Sequence, residues 1–309
     1  MFLSIDKAAE ILKKGGIVAI PTETVYGLAG NAFNETAIAK IFAAKGRPYF
    51  DPLIVHIAEF SKFEDLVTEI PENAKLLAEK FWPGPLTLVL PKKEKVSNLI
   101  TGGLSTVAVR MPKKQIARDI IKLAGPLAAP SANMFQRLSP TSVEHVVEQL
   151  GGKIDGIVDG GACEVGIEST VVGFENNMPV IYRPGAVTGE MIVECLGVGS
   201  WGVGSSKLSS PGLLKKHYCP STPFFIGLPS EVPKNCGLLA FGELPVKSGE
   251  FAEVLNLSEK ACSTEAAANL YGMLHKLDSC KLDKFFATLL PPAGLGNAIN
   301  DRLIKASCR

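Results

Sequence analysis

Short runs of Val, Ile and Leu recur along the first two-thirds of the chain, and helical patterns fill the gaps between several of them. The runs are GIVAI (16–20), LIVHI (53–57), LTLVL (86–90), TVAVRM (106–111), PLAAP (126–130), GIVDG (156–160), STVVGF (169–174) and PVIYR (179–183). Apolar runs this short, bounded by Gly and Pro, read as buried strands. In NETAIAKIFAAKG, Asn34 is a cap, Ile38, Ile41 and Phe42 share one face, and Gly46 stops the helix. At the start of the chain Ile5, Ala8, Ile11 and Leu12 have helical spacing, which predicts a first helix and not an export signal. Together these elements predict an α/β domain with a mixed, twisted sheet whose loops carry the polar residues.

Near residue 197 the texture turns to Gly, Ser and Pro, which predicts a linker. Beyond it, PFFIGL, CGLLAFG and FAEVLNL read as strands, and TEAAANLYGMLHKLD and LGNAINDRLIKAS as helices, a second and smaller α/β domain. The division expected is 1–203, a linker over 204–222, and 223–309. The chain has 32 basic and 31 acidic residues, so no global field advertises nucleic acid or a membrane. That balance hides a linker of net +3, from Lys207, Lys215 and Lys216, beside a first domain with 20 basic and 22 acidic residues. GVGSWG (197–202) fits a dinucleotide fingerprint in letters only, because it follows a helix and opens onto the linker. Seven scattered cysteines without a C-x-x-C pair point to a reducing, cytoplasmic setting, and no apolar run approaches the roughly 18 residues of a membrane span.

Candidate chemistry sits where strands begin or end. In AIPTETVYGLAG the strand closes on Thr22, Glu23, Thr24 and Tyr26, either the rim of a site or a polar turn. Lys45 and Arg47 straddle Gly46 at a helix end, where two cations either grip an anion or neutralise the helix terminus. Ser131, Asn133 and Ser139 follow an apolar strand and suit phosphate or ribose oxygens, or a turn. His56, Arg110, Ser169, Thr170 and Arg183 repeat the placement. His145, His217 and His275 lack metal-ligand spacing, and Cys219 in the linker reads as inert.

In order and spacing, KGGIVAIPTETVYGLAGNAF, IFAAKGRPYFDPLIVHI, WPGPLTLVL, STVAVRMP, AAPSAN, SPT, GIEST and YRPGAVT resemble the YrdC-like domain of threonylcarbamoyl-adenylate synthases. The linker SSPGLLKKHYCPSTP and the tail resemble the long, two-domain form, with a Rossmann-like second domain. The resemblance implies a nucleotidyltransferase that condenses L-threonine, bicarbonate and ATP, with Mg2+, to L-threonylcarbamoyl-AMP and pyrophosphate. The product would feed a transferase complex that modifies tRNA beside the anticodon. By matching motif positions, Lys45, Arg47, Ser131 and Asn133 would form an anion-binding tetrad, Thr22, His56, Arg110 and Ser169 would contact threonine, and Ser139 and Arg183 would face the nucleotide. Tyr218 would close over the triphosphate, and no protein side chain would hold the metal. Leu213, Leu214 and Cys219 depart from the commoner linker sequence. A rival reading, an RNA-binding module with weak RNA contact, would need a basic face that a first domain of net charge −2 does not offer.

Overall fold

A computed structural model describes residues 1–204, 216–245 and 248–308. In the first domain the order is α1 (Ile5–Lys13), β1 (Val18–Ile20), β2 (Gly27–Asn31), α2 (Glu35–Lys45), β3 (Ile54–His56), α3 (Ser61–Glu64), α4 (Glu72–Phe81) and β4 (Leu86–Pro91). It continues with α5 (Asn98–Thr101), β5 (Thr106–Arg110), α6 (Gln115–Ala124), β6 (Leu127–Ala128), α7 (Val143–Leu150), β7 (Gly156–Ile157), β8 (Thr170–Glu175), β9 (Met178–Arg183), α8 (Gly189–Leu196) and β10 (Gly202–Val203). The second domain has β11 (Phe224–Ile226), β12 (Cys236–Ala240), β13 (Glu253–Asn256), α9 (Ser263–Ser279), β14 (Lys284–Ala287) and α10 (Leu295–Ser307).

Local chemistry explains the ends. The Ser4 hydroxyl accepts from the Lys7 amide at the start of α1, and the Asn34 amide oxygen accepts from Ala37 N–H at the start of α2. Gly46 ends α2 in the left-handed region at φ +64°, a conformation a glycine takes without strain. Every apolar run of the first domain forms a strand. The unexpected one is β2, because Gly27-Leu-Ala-Gly-Asn carries too little bulk to read as a strand. It exists because α2 packs directly on it: a Cβ at Gly30 would stand 3.0 Å from Ile41 Cδ1 and 3.4 Å from Ala37 Cβ.

The ten strands of the first domain form one mixed sheet in the order β10-β9-β8-β4-β5-β3-β6-β2-β1-β7. Its central strands are buried on both faces. Val55, Val107, Val109, Leu86, Leu88, Leu90 and Val172 point into the main core. Their alternates Ile54, Ala108, Val89 and Val171 form a small cluster on the opposite face. The second sheet is wholly parallel, β11-β14-β12-β13, and includes β14, which the sequence pattern does not announce.

The linker reading needs correction at its front end. Gly197 is the left-handed cap of α8, and Gly202–Val203 return as β10, parallel to β9, while the Trp201 ring lies against Gly189. GVGSWG is therefore part of the first domain, and its spaced glycines serve a helix stop and a close packing contact. Residues 205–215, including Lys207, Lys215, Leu213 and Leu214, lie outside the described residues.

Val25, Leu138, Ile167 and Tyr218 share one core with α9, α10 and the second sheet. Gly166 touches α9 so closely that a Cβ would lie 2.3 Å from Ala267 O, at φ +76°. Gly161 has a similar φ of +71° with open space around it. Gly161→Ala therefore costs only the left-handed penalty of about 1–2 kcal/mol, whereas Gly166→Ala adds an overpacking cost of about 1–3 kcal/mol. Urea unfolding of the two variants measures the difference; equal midpoints would show that the contact does not constrain docking.

Candidate active site

The alternation that buries one face of the sheet arms the other. His56 follows Ile54 by two residues, Arg110 follows Ala108, and Thr87 and Ser169 precede Val89 and Val171 by two. Register brings them side by side: His56 pairs with Arg110 across β3–β5, and Arg110 with Thr87 across β4–β5. Thr87 Oγ1 and Ser169 Oγ are 2.8 Å apart, and Arg183 donates to Ser169 Oγ (3.2 Å) and to the Ser169 carbonyl (3.1 Å). His56, Arg110, Ser169 and Arg183 thus meet at one cleft, with Thr87 bonded to Ser169 beside it.

The segment after β1 forms its rim. Thr22 Oγ1 donates to Val25 O at 2.6 Å and accepts from the Thr24 and Val25 amides, so the hydroxyl holds the turn and faces the cleft together. Glu23 is buried and pairs with Arg110 at 2.7 Å, while Thr24 Oγ1 accepts from the same guanidinium at 2.8 Å. Both side-chain partners of Arg110 lie in the PTET segment, 87 and 86 positions away, with no spacing signal to link them to it; its Nε donates to the Gly84 carbonyl at 3.3 Å.

The four residues expected to form an anion-binding tetrad lie close together but divide into two layers. Arg47 and Ser131 line the cleft, with Arg47 held by Asp51 (2.9 Å) and by the Pro52 carbonyl (2.8 Å). Lys45 and Asn133 stand behind the wall: Lys45 Nζ donates to the carbonyls of Ser131 and, at 2.6 Å, of Asn133. This ammonium thus shapes the Ser131–Asn133 loop. Burial, and then Arg47, hold its pKa well below that of a free lysine. Asn133 donates to the Met134 and Arg137 carbonyls, and its Oδ1 is buried without a hydrogen-bond partner. Ser139 is also set back, donating at 2.5 Å to Glu168, a cleft carboxylate that the motif analysis passed over within GIEST.

Tyr218 and His217 close the top. Tyr218 is almost fully buried at φ +61°, its ring 5.8 Å from Tyr271 and 5.6 Å from the Arg302 guanidinium carbon. Cys219 fixes the strap behind it by donating its amide to Gln136 O at 2.7 Å. The cleft has a volume of about 40 Å³, and Tyr218 Oη and His217 Nδ1 are buried without partners. Among the described residues, no three His, Cys, Asp or Glu gather as a metal site.

Burial, with Arg110 adding to it, pushes the His56 pKa down to about 3, and burial does the same for His217. Both imidazoles are neutral in the fold. The unfolded chain takes up protons below about pH 6.5 that the fold refuses, so stability falls with pH from 6.5 towards 3, by about 1.4 kcal/mol per pH unit for each ring. Asp51, whose pKa burial raises, works in the opposite sense. Urea unfolding at pH 7 and pH 5 measures this; because burial also lowers the pKa of His145 and His275, His217→Gln should lessen the dependence by one ring's share only, and equal stability at both pH values would contradict it.

The family described as Telomere recombination, which groups Sua5, YciO and YrdC, matches residues 10–185, and the family described as Threonylcarbamoyl-AMP synthase, C-terminal domain, matches residues 187–308. A threonylcarbamoyl-AMP synthase of Bacillus subtilis is 43% identical, covering 98% of this chain and 92% of its own. One from Pyrococcus abyssi is also 43% identical, with 97% and 93% covered. The crystal structure of P. abyssi Sua5 complexed with L-threonine superposes with a TM-score of 0.89 at 41% identity, over 98% of this chain and 94% of that one. With both halves matched and the cleft lined from both matched stretches, the chain belongs to the Sua5/YciO/YrdC family in its long, two-domain form.

Proposed function

We propose that this enzyme is a threonylcarbamoyl-AMP synthase, a nucleotidyltransferase that makes L-threonylcarbamoyl-AMP and pyrophosphate from L-threonine, bicarbonate and ATP. The observation that carries the reading is the convergence of three buried guanidinium groups, Arg47, Arg110 and Arg183, on a cleft lined with hydroxyls and a neutral imidazole. Such a site suits the joining of two anions by positioning and charge stabilisation, without a covalent nucleophile. Near-full-length relatives of that name at 43% identity support the same reading.

In this mechanism the amine of threonine takes up bicarbonate as a carbamate with loss of water. A carbamate oxygen then attacks the α-phosphorus of ATP, and pyrophosphate leaves. Thr22, His56, Arg110 and Ser169 hold threonine. Neutral His56 serves as a hydrogen-bonding partner and not as a cation. Arg47, Ser131, Arg183 and Tyr218 hold the nucleotide, with Lys45, Asn133 and Ser139 setting the wall behind them. Mg2+ enters with ATP as part of the substrate: Glu168, the carboxylate of the cleft, is already occupied by Ser139, Tyr271 and Arg302, so the phosphates and water carry the ion. Residues 1–203 would be the catalytic unit, 204–222 the connection bearing Tyr218, and 223–309 its roof. The product is a mixed anhydride, reactive enough to serve a tRNA threonylcarbamoyl-transferase complex downstream.

Pyrophosphate release from ATP should require both L-threonine and bicarbonate; release that ignores either would refute the assignment. Arg47→Ala and Lys45→Ala should each lower the rate by at least about 100-fold with unchanged circular dichroism. Tyr218→Ala should raise the KM for ATP, and an unchanged KM would reduce the strap to a tether.

A further inference from the structure

The second domain reaches the cleft through one buried carboxylate. Glu168 lies in the cleft wall, yet two of its three side-chain partners come from the other domain: Tyr271 Oη donates at 3.0 and 3.1 Å to its two oxygens, and Arg302 Nε at 3.1 Å. The third, Ser139, belongs to the nucleotide side of the wall. Arg302 is fully buried, and its Nη1 also donates to the carbonyl of Pro184, next to Arg183, at 2.5 Å and to Asp301 at 3.1 Å. Its Nη2 is buried without a hydrogen-bond partner. Burial alone would raise the pKa of Glu168, but Arg302, followed by Arg183, outweighs it and holds the carboxylate at about 2.

A carboxylate in the wall of an anion site is a liability unless a cation answers it. The two cations whose fields reach Glu168 most strongly are Arg302 and Arg183, and Arg183 is one the cleft needs for its own ligand. We propose that Arg302 and Glu168 are a positioning pair by which the second domain sets the nucleotide side of the cleft. Arg302 neutralises the carboxylate, and its other arm holds the Pro184 carbonyl beside Arg183; the carboxylate in turn fixes the Ser139 hydroxyl. The inference rests on the synthase reading for the identity of the anion. It gives the second domain a chemical task beyond roofing the site, and touching no reacting atom, neither residue is catalytic.

The test compares full-length wild type, Arg302→Met, Glu168→Gln and the double variant. Arg302→Met should raise the KM for ATP by about tenfold while that for threonine stays within about twofold, and the double variant should recover most of the loss because no charge is left unanswered. Equal rises in both KM values, a double variant no better than Arg302→Met, or an Arg302→Met enzyme indistinguishable from wild type would each overturn the proposal. If Arg302→Met does not fold, as judged by circular dichroism, Arg302→Gln takes its place and should show the same selective rise, whereas Arg302→Lys, which keeps the charge, should stay within about twofold of wild type; a tenfold rise in Arg302→Lys as well would overturn the proposal. Calorimetry with MgATP alone, on the same proteins, separates the two levels. A wild type that binds MgATP but releases pyrophosphate without threonine refutes the synthase reading, and the order of MgATP affinities across the variants then still decides the pair.

Discussion

The molecule is organised around the cost of keeping cations out of water. Lys45, Arg47, Arg110, Arg183 and Arg302 are all buried, the first four around the cleft or in its wall and Arg302 behind Glu168. An isolated charge in such a place loses several kcal/mol of hydration, so each must be answered by something fixed. The answers differ. Arg47 has Asp51, Arg110 has Glu23, Arg302 has Glu168 and Asp301, and Lys45 has only carbonyl oxygens. Where the partner is a full carboxylate, the cation is held but also largely neutralised. Where it is a set of dipoles, as for Lys45, the ammonium works as a clamp on the loop that carries Ser131 and Asn133.

The sheet supplies the rigidity this demands. Because β3, β4, β5 and β8 are buried on both faces, their alternation does not sort core from solvent; it sorts core from site. A hydrophobic residue every second position anchors the strand, and the next position along presents His56, Thr87, Arg110 or Ser169. Ladder hydrogen bonds hold the backbones, so the polar groups need little reorganisation to meet a charged ligand, which is the condition for effective electrostatic stabilisation. The connection and the second domain then back the cleft. His217 and Tyr218 line it, Tyr218 with a left-handed backbone, and Tyr271 and Arg302 pack behind Tyr218 and Glu168.

The amino-acid sequence by itself determined the strand runs, the two-domain division in outline, the capped helices α1 and α2, and the polar residue types at strand ends, because periodicity, caps and glycine stops act over a few residues. Eight of the eleven positions singled out for the site, Thr22, Arg47, His56, Arg110, Ser131, Ser169, Arg183 and Tyr218, line the cleft. Only the tertiary structure decided that Lys45, Asn133 and Ser139 stand behind the wall, that Glu23 answers Arg110, and that Glu168 is the junction to Arg302. It also decided that Gly202 and Val203 join the first sheet, since a two-residue strand exists only through the neighbour it pairs with. These outcomes share one cause: desolvation depends on everything packed around a group, and Glu23 and Glu168, which answer Arg110 and Arg302, lie 87 and 134 residues from them, where no local pattern can register them.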